Sequence, residues 1–243
     1  MRASDHASPS STPSADGPGV TAANRTAAAI ARRVLEGHYH PGSSLREIPL
    51  AEDMGVSRST IREALRILER DGVVRIEAHR GASVTQLSPE ELIEIYQVRT
   101  VLLGLAMSLC AQRCTDRDLL SLGRLHRRML KAVDDPRSAA EGLHAQLSAE
   151  MALLIIERAG NRRLQDLLTQ MSNQIARYTR LGLSTPARRQ RSAATWRAVI
   201  DAMAARNSAL AERLGRQLVT ETLRHALGQI AGIAPDPIAT EDA

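Results

Sequence analysis

The chain has 243 residues, with 32 Lys and Arg against 27 Asp and Glu and a formal charge of +5, which gives room for two domains and suits a polyanionic partner. Lys131 is the single lysine among the basic residues and phenylalanine is absent, a bias that a GC-rich genome explains as well as DNA binding does, so charge alone decides little. Cys110 and Cys114 have no second pair to complete a zinc site and read as reduced thiols; no apolar run is read as membrane-spanning and no signal peptide is recognised, so a cytoplasmic protein without membrane association is expected.

In chain order, residues 1–20 are Ser, Pro, Ala, Asp and Gly and are expected to stay disordered. Asn24 is placed to cap a helix with a stripe of Ala27, Ile30, Ala31, Val34 and Leu35, closed by Gly37 and a Pro41-Gly42 turn. Ile48 to Met54 predicts a short helix with Pro49 in its first turn, and Gly55 permits a tight reversal. Ser57 then caps a second helix whose Ile61, Ala64, Leu65 and Leu68 recur at core spacing, with Arg58, Ser59, Arg62 and Arg66 on the opposite side. Taken alone, that side is either a solvated arginine face or a reader of phosphates. Gly72 stops the helix, and Val73–Ile76 and Ala82–Thr85 predict two strands joined by a tip, Glu77 to Gly81, that carries Arg80. Residues 21–87 are thus expected to form a winged helix-turn-helix.

The run Pro41-Gly42-Ser43-Ser44-Leu45-Arg46-Glu47, with Leu50-Ala51, Gly55-Val56-Ser57-Arg58, Arg62-Glu63-Ala64-Leu65, Leu68, Gly72 and Arg80-Gly81-Ala82, resembles the winged helix of the GntR family of bacterial transcription regulators. In that family the recognition helix enters the major groove and the wing tip reaches the minor groove. The resemblance implies double-stranded DNA as partner, with contacts from Ser57, Arg58, Ser59, Thr60 and Arg62 and, at the wing, Arg80 and Gly81. Arg66 joins them from the exposed face of the same helix. Ile48 stands where some relatives place a DNA-contacting arginine.

From Ser88 the pattern is helical throughout. Ser88-Pro89-Glu90-Glu91 is a capping box, and further helices are expected at about 116–133, 138–159, 162–182, 187–205 and 208–232, with 233–243 as a flexible tail. The fold class is therefore mainly α, a winged helix-turn-helix followed by an all-α bundle of six to seven helices over residues 88–232. A bundle of this length after such a winged helix resembles the FadR subfamily, through Arg99 with Leu102, Ala159-Gly160-Asn161 with Leu164, and Val199 to Met203. The resemblance implies a homodimer whose C-terminal domain binds a small-molecule effector.

Many members of that subfamily hold a divalent metal with an aspartate and a histidine one turn apart and two later histidines. In register, this chain has Ser148, Ala152, Trp196 and Leu218 there, so no metal and no cofactor are expected. His126, His144 and His225 do not restore the set, and His144 is read as hydrogen-bonded or solvent-facing. Arg99 is then the expected anchor for an effector, an organic acid being the natural choice, with Tyr96, Asn173, Gln174, Arg177 and Tyr178 as further polar candidates. For Asn173 and Gln174 a packing role is an equal alternative. The function expected is a repressor of a metabolic or transport operon. An enzyme is disfavoured because no nucleophile elbow, phosphate loop or acid/base set is found. A helical adaptor that binds protein through its winged helix, or a regulator without an effector, remains the alternative.

Overall fold

The computed structural model describes residues 21–78 and 80–232; the expected disordered start and tail, and His79 of the wing tip, lie outside them. The first helix, α1 (Ala22–Glu36), is capped by Thr21, not Asn24. The reason is register: Thr21 Oγ1 accepts from the Asn24 amide three residues on, so Asn24 lies inside the first turn. Gly37 ends the helix at φ 88°, where its amide reaches back to the Arg33 and Val34 carbonyls.

Next come β1 (Ser44–Leu45), α2 (Glu47–Met54), α3 (Arg58–Arg70), β2 (Val74–Glu77) and β3 (Gly81–Val84). The sheet order is β1-β3-β2, antiparallel throughout, with Leu45 opposite Ala82 and Ile76 opposite Ala82 on the other side. β1 was not expected. Ser44–Leu45 lacks strand character of its own and is extended because β3 offers it a free edge. Ile30, Leu45, Leu50, Ile61, Leu65, Leu68, Val74 and Val84 close one core between the three helices and the sheet.

The second core belongs to α4 (Pro89–Arg113), α5 (Asp116–Ala132), α6 (Pro136–Glu141), α7 (Leu143–Arg158), α8 (Arg162–Gly182), α9 (Pro186–Ala204) and α10 (Ser208–Ile230). Both halves of the Ser88–Glu91 capping box form. Thr115 and Asp118 make a second box at α5, and Arg158 of α7 donates to Asp118 at 2.7 Å, which ties the two helices. The single helix expected over 138–159 is two. Gly142 takes φ 72° and ends α6, and a Cβ there would meet the Arg180 side chain at 2.8 Å.

α4 overturns one reading of the sequence, since its length and apolar content alone would allow it to cross a membrane. It is instead the helix around which the bundle packs, burying Leu92, Tyr96, Leu103, Met107 and Cys110 against α7, α8, α9 and α10. Its closest neighbour is α10, which Gly215 admits: a Cβ at that position would meet Met107 Sδ at 2.5 Å. Cys110 and Cys114 are free and buried, and burial pushes the Cys110 thiol up to about 12.

The two cores are joined by polar contacts as well as by the chain. Leu87 N donates to Tyr178 Oη at 2.9 Å, Gln170 Nε2 to the Arg70 carbonyl at 2.9 Å, Asn173 Nδ2 to Asp71 Oδ2 at 3.4 Å, and Arg180 Nη1 to the Leu35 carbonyl at 3.1 Å.

Candidate functional site

The first candidate site is a groove between α3, the start of α2 and the wing. Ser57 Oγ caps α3 by accepting from the Thr60 amide at 3.1 Å and lies 2.8 Å from both the Ser59 and Thr60 hydroxyls. With Ile61, Ala64, Leu65 and Leu68 turned into the core, Arg58, Arg62 and Arg66 must point outward. The groove is lined by Arg46, Arg58, Arg62, Arg66 and Arg80, with Gly81 at the wing. Five guanidinium groups thus share one concave face; Glu47 lies among them, and Glu77 accepts from Arg80 Nη1 at 3.3 Å at the wing.

Glu47 accepts from Arg62 Nε at 3.1 Å and Nη2 at 2.9 Å and lies 3.7 Å from Arg58 Nη2. The Arg62 guanidinium, and then Arg58, hold the Glu47 carboxyl below its ordinary range. One side chain of α2 therefore fixes the reach of two arginines of α3. Sequence reading missed Arg46 and Glu47 as members of the face, although both lie in the motif at the start of α2. Ile48 stands 52% exposed at the edge of the groove, an apolar residue presented to whatever occupies it.

The second candidate site is a cavity of about 430 Å³ inside the bundle. Its walls bring together Tyr96, Arg99 and Leu103 of α4, Ser148 and Ala152 of α7, Ser172, Thr179 and Arg180 of α8, Trp196 of α9, and Leu218 and Val219 of α10. Leu35, from the end of α1, completes the wall. Arg99 Nη1 donates to Ser172 Oγ at 2.9 Å and to the Leu168 carbonyl at 3.4 Å. Arg99 is 9% exposed, and no carboxylate pairs with it among the described residues. Burial lowers its affinity for the proton, the direction expected of a cation removed from water without a counter-ion. Beside it, Tyr96 is raised by burial and its hydroxyl lies 3.4 Å from that of Thr179.

Ser148, Ala152, Trp196 and Leu218, predicted to share a site from two short sequence anchors, do line this cavity together. They do not fit a metal. Trp196 Nε1 donates to Ser148 Oγ at 3.0 Å, and Ala152 and Leu218 offer no donor atom. The three histidines lie elsewhere. His126 Nε2 meets the Ala193 carbonyl at 2.9 Å and His225 Nε2 lies 3.4 Å from Thr185 Oγ1.

His144 corrects the sequence reading, being 2% exposed with neither ring nitrogen hydrogen-bonded to protein. Burial first, then the positive charge of Arg189 and Arg188, push it down to about 4. It faces a separate cavity of about 90 Å³ with Ser138, Arg180, Ser184 and Arg189.

Asn173 and Arg177 also depart from expectation. On α8 the residues at 172, 176 and 179 face the bundle cavity, whereas 173 and 177 are rotated one residue further round. They line a cleft of about 530 Å³ against α1 and α3, together with Gln174 and Tyr178, and so sit between the domains and not beside Arg99.

Comparison with known proteins places these features. Residues 22–84 match the model of the bacterial regulatory proteins, gntR family, and residues 94–221 that of the FCD domain. An uncharacterized HTH-type transcriptional regulator, YdhC, of Bacillus subtilis (strain 168) is 31% identical over 146 residues, 60% of this chain and 64% of that protein. The Nta operon transcriptional regulator of Aminobacter aminovorans is 29% identical over 138 residues, 57% of this chain and 64% of that protein. The matches thus span less than two thirds of either relative. In fold, E. coli McbR/YncC superposes with a TM-score of 0.74 at 19% identity, over 87% of this chain and 100% of that one.

Proposed function

The chain belongs to the gntR family of bacterial regulatory proteins and carries an FCD domain, and on that premise we propose that it is a cytoplasmic transcription regulator that binds operator DNA as a homodimer and responds to a small organic acid. The observation that carries the reading is the groove in which Arg46, Arg58, Arg62, Arg66 and Arg80 converge from α2, α3 and the wing. A helix in the major groove and an arginine at the tip of a wing can be engaged on one duplex at once only if they share a face, as they do here. Dimerisation is supported by α4, whose Val98, Val101 and Leu105 make an apolar stripe at i, i+3 and i+7, 52%, 51% and 41% exposed. Two copies would present two recognition helices to a short pseudopalindrome. The cavity walled by Leu35 as well as by the bundle supports an effector that alters this arrangement, and repression of a metabolic or transport operon is the role that follows.

The test is binding to duplexes selected from a random pool. Arg58→Ala is expected to cost about 1–3 kcal/mol on the selected site and to relax preference there, whereas loss of a phosphate contact weakens all sequences alike and lowers the salt slope by about one. Equal binding by the wild type and an Arg58→Ala, Arg62→Ala double variant refutes DNA reading. Sedimentation of the full chain tests the dimer: the wild type is expected to be dimeric and Val101→Glu with Leu105→Glu to give monomers, and a dimer that persists in the double variant refutes the α4 face.

A further inference from the structure

We infer that the bundle cavity is built for a monocarboxylic acid with an apolar body, bound without a metal, an inference that rests on the reading of this cavity as an effector site. The walls of this cavity are unequal in polarity. Arg99, Tyr96, Ser172 and Thr179 gather on α4 and α8, with Arg180 near the end of α8, while α7, α9 and α10 contribute Ala152, Trp196, Leu218 and Val219 beside three hydroxyls, of which Ser148 already accepts from Trp196 and Thr222 already donates to the Leu218 carbonyl.

At the polar wall, Arg99 is more than nine-tenths buried and spends Nη1 on Ser172 and the Leu168 carbonyl. Its other N–H groups have no hydrogen-bond partner among the described residues. A buried guanidinium without a carboxylate is costly, and an anion that takes two of its N–H groups offsets that cost. Two carboxylates do lie on the cavity's wall, but Glu141 pairs with Arg137 at 3.1 Å and Glu150 with Arg128 at 3.5 Å. They leave Arg99 unneutralised, and Arg180, the other cation on the wall, spends both terminal nitrogens on the Leu35 and Ala140 carbonyls, so Arg99 is the guanidinium with N–H groups open to a single carboxylate.

The apolar wall decides the rest of the ligand. A hydroxy acid or a polycarboxylate needs hydrogen-bond partners along its whole length, and each polar group buried without a partner against an apolar stretch of wall costs affinity. Trp196 has already committed its Nε1 to Ser148, so the indole presents its ring. Ala152 and Leu218 add only carbon. A phenyl or short alkyl group satisfies this wall, and the volume of about 430 Å³ accommodates one.

The experiment is a melting-temperature series on the full-length protein with phenylacetate, hexanoate, 2-phenylethanol, hexanol and citrate, each with EDTA and with added zinc. Phenylacetate and hexanoate are expected to raise the melting temperature by several degrees near saturation, equally in EDTA and zinc. The two alcohols and citrate are expected to leave it unchanged. Arg99→Gln, which removes the charge and the fork, is expected to weaken acid binding ~10-fold or more, read as the ligand-induced shift relative to the variant's own basal melting temperature. Arg99→Lys keeps the charge but loses the fork, and is expected to fall between. Shifts from the alcohols equal to those from the acids, a zinc-dependent shift with citrate, an unchanged acid response in Arg99→Gln, or no shift with either acid each overturn the inference. Release of a selected duplex is measured separately. Acids that bind without releasing DNA support the ligand class and refute the effector reading, whereas DNA release by another ligand with no acid bound does the reverse.

Discussion

His144 makes the stability of the protein depend on pH between 7 and 4, and the size of the effect follows from its surroundings. The imidazole is 2% exposed and faces Arg189 and Arg188 with His126 near, so protonation is resisted until about pH 4, against an ordinary value of 6.5. Between those values the unfolded chain binds the proton and the folded chain does not, so acidification favours unfolding. The stabilisation is complete above about pH 6.5 and is lost as the pH falls toward 4. At pH 5 the unfolded histidine is about 1.5 pH units below its own value; at ~1.36 kcal/mol per unit, about 2 kcal/mol has gone relative to pH 7. His225 is lowered as well and slopes the same way, whereas Glu47, Glu90, Asp118 and Asp135, also lowered, lose their contribution mainly at more acid pH. The comparison is therefore the wild type against His144→Leu at pH 7 and pH 5, by urea denaturation. Trp196, the single tryptophan, is 2% exposed in the same bundle and reports unfolding by fluorescence. The wild type should lose about 2 kcal/mol more than the variant between the two pH values. Equal losses would refute the assignment of the slope to His144.

Glu47→Gln should free Arg58 and Arg62 from their shared carboxylate, raising affinity for random duplexes several-fold while narrowing the preference for a selected site. Stability should change little, because exposed ion pairs are worth ~0–1 kcal/mol; a filter-binding comparison with unchanged discrimination would count against Glu47 as the residue that orients them. Arg180→Ala should leave phenylacetate affinity within a few-fold of the wild type but reduce ligand-driven release of DNA, measured by anisotropy, and full release by the variant would remove Arg180 from the coupling route.

What was legible in the sequence was local. The Ser57 cap, the Ser88–Glu91 box and the stripe of Ile61, Ala64, Leu65 and Leu68 are each decided within one or two turns, and the structure shows them as read. The four cavity positions from α7, α9 and α10 were also legible, because two anchors fix the register and the helical repeat carries it to Ser148, Ala152, Trp196 and Leu218. Features decided by distant parts of the chain were not legible. Ser44–Leu45 becomes a strand through β3, and Gly142 breaks a helix over the Arg180 side chain of α8. Asn173 and Arg177 fail as cavity residues because they lie one residue, about 100° of helical rotation, from the face of Ser172, Ala176 and Thr179, and which face of α8 meets the bundle is decided by packing against other helices. His144 looked polar and was assigned a polar place, yet its burial depends on how α7 packs against α5, α4 and α8.

The division of α8 between two faces has a consequence for how the halves communicate. On one face Ser172 and Thr179 line the bundle cavity; on the other Gln170 and Asn173 hold Arg70 and Asp71 at the end of the recognition helix. Arg180 belongs to the cavity wall while donating to the Leu35 carbonyl of α1 and to the Ala140 carbonyl of α6. Leu35 itself lines both the cavity and the interdomain cleft. A ligand drawn to Arg99 therefore occupies a space whose wall includes the last turn of α1, and α1 packs directly on α3. The cavity and the hold on the end of α3 therefore share one helix, α8. A ligand at Arg99 can act on DNA binding only if it favours one arrangement of these contacts over another, since differential affinity for two states is the sole means by which binding shifts their balance.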